Sequence, residues 1–376
     1  MSLTGDTTLH FSEEQAMLLD AARMLSRDYG GAQARPWLES DPGYDPALWA
    51  QMVALGWPGL SLAESVGGAG LGIGAAVPVF EALGRGLLGT PLLASLLAGE
   101  LLQRAAVNVP VVQSVLRELA SGAPASIAWL EAEDWGARDI ACELSAEGVL
   151  SGSKQQVLDA AAAEWLVVVA QQAGEPVLAL LPTDAVPASA RREHQLVDLS
   201  RRAQRLCLDG LAVPPEHQLR GPAVRSALRD VRLLAALLLA AEATGSAAAC
   251  LDTTVAYLRT RKQFGKLIGS YQALKHPCVS LLIAIDSSRS LIYHAASLVG
   301  PGELDREAEI ACRMAKAQAG DSLLEAGDRA VQFHGAMGFT WECDAQRYLR
   351  RALWCQGMYG DTRHHRRRLA ALLLDP

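Results

Sequence analysis

The densest run of residues suited to chemistry is YLRTRKQFGKLIGSYQALKH, Tyr257 to His276. Leu251, Val255 and Leu258 recur at i, i+4 and i+7, the period of a helix. Arg259, Arg261 and Lys262 then crowd what reads as its last turn, where cations complement the negative end of the macrodipole. Gly265 follows as a stop signal. Ile268 to Leu274 begin a second apolar helix, with Gln272 near its head. A basic helix end, a glycine corner and an amide would together grip a phosphate-bearing ligand. The same spacing also suits a solvated corner between two helices.

Two other stretches raise chemistry and then lose it. In GWPGLSLAESVGGAGLGIG, Gly56 to Gly74, the glycines 67, 68, 70 and 72 suggest a phosphate loop. No β-branched strand precedes it and no βαβ pattern follows, so a loop that lets helices approach closely is the better reading. The C-terminal arginines (Arg347, Arg350, Arg351, Arg363, Arg366, Arg367, Arg368) raise nucleic-acid binding. They lack interleaved aromatic residues and the chain as a whole is acidic, so we expect a helix face paired with acids of a neighbour. His364 and His365 are adjacent, hence on diverging helix faces, and form no metal site.

Composition bounds the frame that must hold these residues. A chain of 376 residues suggests about two or three domains. The net charge of −7 and pI near 5.7 argue against nucleic acid as the partner. The seven cysteines (142, 207, 250, 278, 312, 343 and 355) are odd in number and form no CxxC, which reads as reduced thiols in a cytoplasmic protein. The N-terminus lacks the basic-then-apolar order of a signal peptide. The longest apolar run, Leu233 to Ala241, is nine residues, against the roughly 20 needed to span a bilayer. It reads as a buried helix, with no membrane span.

The expected fold is mainly α with a central β domain, in three parts: an N-terminal helical domain (1–122), a small antiparallel β-barrel or sandwich (123–220), and a C-terminal antiparallel four-helix bundle (221–376). The first part opens with a capping box, Ser12 to Gln15, and continues through a helix at Leu48 to Leu55 and helical sequence from Ala75 to Ala106. The second part shows short, partly alternating runs at Ser126–Leu130, Val149–Leu150, Gln156–Leu158, Leu166–Ala170, Val177–Leu181 and Gln204–Leu208. The third divides into helical segments at about 223–262, 270–298, 304–334 and 343–373, joined by short loops.

Helices, a β domain and then a bundle containing an Arg-x-x-Phe-Gly corner resemble the acyl-CoA dehydrogenase family over nearly the whole chain. Tyr257, Arg261, Gln263, Phe264, Gly265, Gln272 and His276 match its Y-x-x-x-R-x-x-F-G…Q segment. Gln332, Gly335, Gly338 and Phe339 match its Q-x-x-G-x-x-G-F segment, followed by Arg347 and Arg350 at an arginine-rich helix start. Gly56-Trp57 and Gly67 to Gly70 match its GW…GGxG loop, and Asp198, Ser200 and Arg201 its end-of-domain strand.

The resemblance implies an FAD enzyme that oxidises an acyl-CoA thioester to the 2,3-enoyl-CoA, usually with an electron-transfer flavoprotein as acceptor. It implies that Arg261, Gln263, Phe264 and Gln272 grip the diphosphate and adenine side of FAD. Gln332, Gly335 and Gly338 would reach the same FAD from a neighbouring subunit, and Thr362 would complete the cofactor set. Fixed cationic donors suit a diphosphate, and glycine suits a close backbone approach.

The catalytic half departs from the family. Removing the α-proton needs a positioned base, yet the family's glutamate falls on Tyr359 or Gly360, and the alternative glutamate of some members on Ala235, with Ala236 at the arginine that follows it. Asp361 and Glu242 are the remaining candidate bases. The family's T-E-P-G-A-G-S-D reads here Leu130, Glu131, Ala132, Glu133, Asp134, Trp135. In its G-x-K-x-W-I strand, represented by Gly152 and Lys154, the flavin-stacking tryptophan is Gln156. Some family members are heterotetramers in which one chain carries base and flavin face while the other completes the cofactor site, and this chain is similar to the second kind. The expectation is thus an acyl-CoA dehydrogenase-like oxidoreductase in a homo- or hetero-tetramer; a half-site subunit and an FAD-free helical scaffold are the alternatives.

Overall fold

The computed structural model describes residues 13–132, 134–135 and 140–374. The capping box expected from Ser12, and Glu133, lie outside the described residues.

The N-terminal part is helical: α1 (Glu13–Tyr29), α2 (Pro46–Ala54), α3 (Ala76–Arg85), α4 (Leu92–Ala106) and α5 (Pro110–Ala120). Pro46 stands at the start of α2 and the Asp45 carboxylate accepts from Ala47 N, so the start of this helix is set by local chemistry. The helical sequence from Ala75 to Ala106 is interrupted between Arg85 and Leu92, and α3 and α4 are separate helices. The glycine loop at 56–74 folds into short 3-10 turns. A Cβ at Gly68 would lie 2.2 Å from Leu62 O, so this glycine serves close packing.

The middle part contains β1 (Ala125–Ala128), β2 (Glu143–Leu144), β3 (Leu150–Ser151), β4 (Ser153–Leu158), β5 (Trp165–Gln172), β6 (Glu175–Pro182), β7 (Arg191–Glu193), β8 (Ala203–Cys207) and β9 (Gln218–Leu219). All six runs expected from sequence contain strand. Two sheets form, one of order β3-β2-β5-β6-β9 with β1 also on β5, the other β4-β8-β7. The pairing is mixed, because β1 and β2 join β5 in parallel while the remaining pairs are antiparallel. The β4–β8 ladder shifts register between Lys154 and Val157, a bulge centred where Gln156 takes φ +46°.

The C-terminal part begins with α6 (Pro222–Leu258), a 37-residue helix whose apolar stretch is wholly buried against its neighbours. Leu233, Leu234, Leu237, Leu238 and Leu239 are all at most 2% exposed; burial of each is worth about 2 kcal/mol. Helices α3 and α6 cross at paired glycines. A Cβ on Gly84 would sit 2.1 Å from Glu242 O, and one on Gly245 1.8 Å from Glu81 O.

The bundle is completed by α7 (Gln272–Leu298), α8 (Arg306–His334), α9 (Ala345–Gly357) and α10 (Thr362–Leu374). Asp230 near the start of α6 accepts from Leu304 N just before α8, and Tyr257 at the end of α6 meets His334 at the end of α8. These helices therefore run parallel, with α7 returning between them.

Two expected elements are corrected. The segment 343–373 is two helices, because Tyr359 (φ +56°) and Gly360 (φ +102°) turn the chain out of helical geometry. Helix α6 ends at Leu258, so Arg261 and Lys262 lie beyond its last turn. They belong to a hairpin, β10 (Lys262–Gln263) and β11 (Lys266–Leu267), turned at Phe264 (φ +53°) and Gly265 (φ +75°).

Candidate cofactor corner and acyl pocket

The two motif segments meet at one end of the bundle. Tyr257 stacks on His334 with ring centroids 4.3 Å apart and 24° between planes. This contact brings the hairpin that follows α6 beside Gly335–Phe339, which follows α8. Arg261, Gln263, Phe264 and Gln272 are exposed, as are Gln332 and Gly335, whereas Gly338 is buried under Val331. Phe264 is 90% exposed and Phe339 76%, a large apolar display for a short hairpin and a 3-10 turn. Arg261 forms no ion pair among the described residues. The corner thus offers outward-facing donors and uncovered rings, suited to a molecule or subunit that lies across it.

A second group lies between the β sheets and the bundle. A small pocket is lined by Ala94 and Leu97 of α4, Ser126 of β1, Gln156 and Leu158 of β4, and Tyr359. The positions that resemble the flavin-stacking and base positions, Gln156 and Tyr359, therefore share one wall. Trp135 also lines this pocket and packs against Tyr359, with centroids 4.3 Å apart and 35° between planes. Trp129 meets Trp135 edge-on at 6.5 Å, and the Arg232 guanidinium lies 4.7 Å over the Trp129 ring. Burial pushes the Tyr359 phenol up and the Arg232 guanidinium down from their ordinary values. Sequence reasoning missed Trp129 and Arg232. Arg232 lies three residues before Ala235 and therefore on the same helix face, a spacing that points to it once Ala235 is singled out.

Neither candidate base is free in this pocket. Asp361 is an exposed helix cap: its carboxylate accepts from His364 N at 2.7 Å and its carbonyl from His365 N at 3.0 Å, fixing the start of α10. Glu242, 2% exposed, is bound by the guanidiniums of Arg201 and Arg351. Arg351 also donates to Asp198 and Ser200, and Arg201 lies 4.6 Å over Trp354. Burial alone would raise the Asp198 carboxyl, but Arg351 and Arg201 hold it below its usual range. Glu242 is a structural counter-ion that ties α6 to α9 and to the segment before β8. Thr362 stands apart from the exposed corner; its half-buried hydroxyl donates to Asp321 of α8 at 2.7 Å.

Comparison with known proteins follows the same division. Residues 12–122 match the acyl-CoA dehydrogenase N-terminal domain model, and 227–374 match the C-terminal domain model. Acyl-CoA dehydrogenase IpdE2 of Mycolicibacterium smegmatis is 31% identical over 96% of this chain and 99% of its own length. The Mycobacterium tuberculosis protein of that name is 32% identical over 90% and 91%. Among solved structures, a Tcur3481-Tcur3483 steroid ACAD variant superposes with TM-score 0.84 at 27% identity, covering 96% of this chain and 98% of that one. The ChsE4-ChsE5 complex from Mycobacterium tuberculosis shares the fold, with TM-score 0.86 at 22% identity over 98% and 99%. With two matched domain models, a full-length relative and the bundle corner in place, this chain belongs to the acyl-CoA dehydrogenase family.

Proposed function

We propose that this chain is the partner subunit of a heteromeric acyl-CoA dehydrogenase, completing an FAD site whose catalytic half stands on a related chain. The observation that carries the reading is the asymmetry between its two sites. The outward corner keeps every residue expected to hold the cofactor's diphosphate end, while no carboxylate among the described residues is free in the pocket.

The residues fit FAD in part. Arg261 supplies an exposed cation for the diphosphate, Gln263 and Gln272 supply amide donors, and the exposed ring of Phe264 gives an apolar face to the adenine side. Gln332 and Gly335 lie beside them through the Tyr257–His334 contact. The inner pocket does not fit the flavin ring, because it is small and Trp135 and Tyr359 meet at its lining. FAD, when bound, supplies the hydride acceptor for desaturation of the thioester. The α-proton then goes to a base on the partner chain, since Tyr359 and Ala235 stand where this chain would need a carboxylate. An electron-transfer flavoprotein is the proposed acceptor. The two-chain names of the solved neighbours support a mixed assembly, and the seven free cysteines support a reducing, cytoplasmic setting.

Co-expression with related dehydrogenase-like chains tests the reading. A flavin spectrum and activity are expected only in the mixed complex. A yellow, active assembly of this chain alone would contradict it, and a colourless mixed complex would favour an FAD-free scaffold.

A further inference from the structure

We infer that the inner pocket of this chain is closed by its own side chains, so that the chain admits no acyl group and directs the thioester to its partner. The inference rests on reading that pocket as the counterpart of the family's acyl site.

Arg232, Trp129, Trp135 and Tyr359 form one continuous chain of contacts across the cleft between α6, the end of β1 and the turn before α10. Trp135 and Tyr359 meet at the lining of this pocket, and the space left beside them is small and lined also by Leu97 and Leu158. A thioester therefore enters only if rings leave.

The closure carries strain that simple loss of a site would not retain. Tyr359 and Gln156 both hold left-handed backbone, at φ +56° and +46°, and both line this pocket. Such conformations are costly for residues with a Cβ and collect where geometry has a task. The Trp135 indole N–H and Arg232 Nε are buried without hydrogen-bond partners, and neither can be reached from solvent. Unpartnered buried donors are a further cost of these contacts. Lys154 and the amides of Ala141 and Cys142 all donate to the Glu131 carboxylate, which anchors Glu131 to β4 and to the segment entering β2. The Trp135 ring is held between Trp129 and Tyr359.

Calorimetric titration of the purified full chain with octanoyl-CoA and with free CoA tests the closure. Wild type should show no preference for octanoyl-CoA over CoA. The double variant Trp135→Ala, Tyr359→Gly should bind octanoyl-CoA at least about tenfold more tightly than wild type, with CoA unchanged. Tyr359→Phe, which keeps the ring, should behave as wild type. A tenfold preference of wild type for octanoyl-CoA overturns the inference whatever the variants do. So does a double variant with wild-type circular dichroism that gains nothing. Neither result bears on whether the chain joins a partner or how much FAD the complex holds, which co-expression decides separately.

Discussion

Arg351 of α9 and Glu242 of α6 form an ion pair at 0% and 2% side-chain exposure, with Asp198 on the second face of the same guanidinium. One arginine thereby joins the bundle to the segment that leads into β8. Substituting Arg351 by Met would leave two buried carboxylates with a single remaining cation, Arg201. Breaking such a pair on one side costs about 3–5 kcal/mol, so the unfolding free energy from urea titration should fall by that amount. A loss under 1 kcal/mol would mean that water reaches the cluster.

Asp361 separates the two roles open to it. As a cap, Asp361→Asn keeps an oxygen for His364 N and leaves stability nearly unchanged, whereas Asp361→Ala costs about 1 kcal/mol. Neither substitution should lower turnover in a mixed complex by more than about twofold. Abolished activity with intact stability in the Asn variant would identify Asp361 as the base.

His365 supplies a pH signature. It is 2% exposed, and burial, reinforced by Lys316 and Arg313, pushes its imidazole down to about 2. Below the unfolded value of 6.5 the unfolded chain takes up a proton that the folded chain refuses. Stability therefore falls as pH drops below 6.5, by up to about 1.4 kcal/mol per unit from this site. His365→Leu should remove that component, so the stability difference between variant and wild type should widen from pH 6.5 to pH 4.5. A difference independent of pH would contradict a buried neutral imidazole.

The outward corner should be functionally costly and structurally cheap to change. Arg261→Ala and Phe264→Ala alter exposed side chains, so unfolding of the chain alone should shift by no more than about 0.5 kcal/mol. In a mixed complex each should weaken FAD retention by at least about tenfold, measured by flavin release on dilution. Large destabilisation of the isolated chain by either change would give these residues a folding role instead.

Sequence patterning located most helices and six strand regions because Leu/Ala periodicity and alternation survive in long or strongly apolar runs. The strands β2, β7 and β9 are two or three residues long, too short to show a period. The break at Tyr359–Gly360 was passed over although Gly357 and Gly360 are available stop signals there, and only the left-handed backbone of Tyr359 lacks a signal in the sequence. The hairpin after α6 was read as helix end because Arg259 to Lys262 suit both. Glu242 stood out as a lone acid in an apolar run, but its partners Arg201 and Arg351 are distant in sequence, so its ion pairs emerge only with the tertiary fold. Trp129 and Arg232 were missed for the same reason.

The central claim is that this chain contributes to an FAD site without owning a complete one. Its most direct test is the ratio of bound FAD to chains, counted from flavin absorbance and protein mass, for this chain alone and for its complex with a related chain. We predict no FAD on the chain alone and one FAD per pair of chains in the complex, lost on Arg261→Ala. One FAD per chain in a pure assembly of this protein, bleached anaerobically by acyl-CoA, would contradict the account.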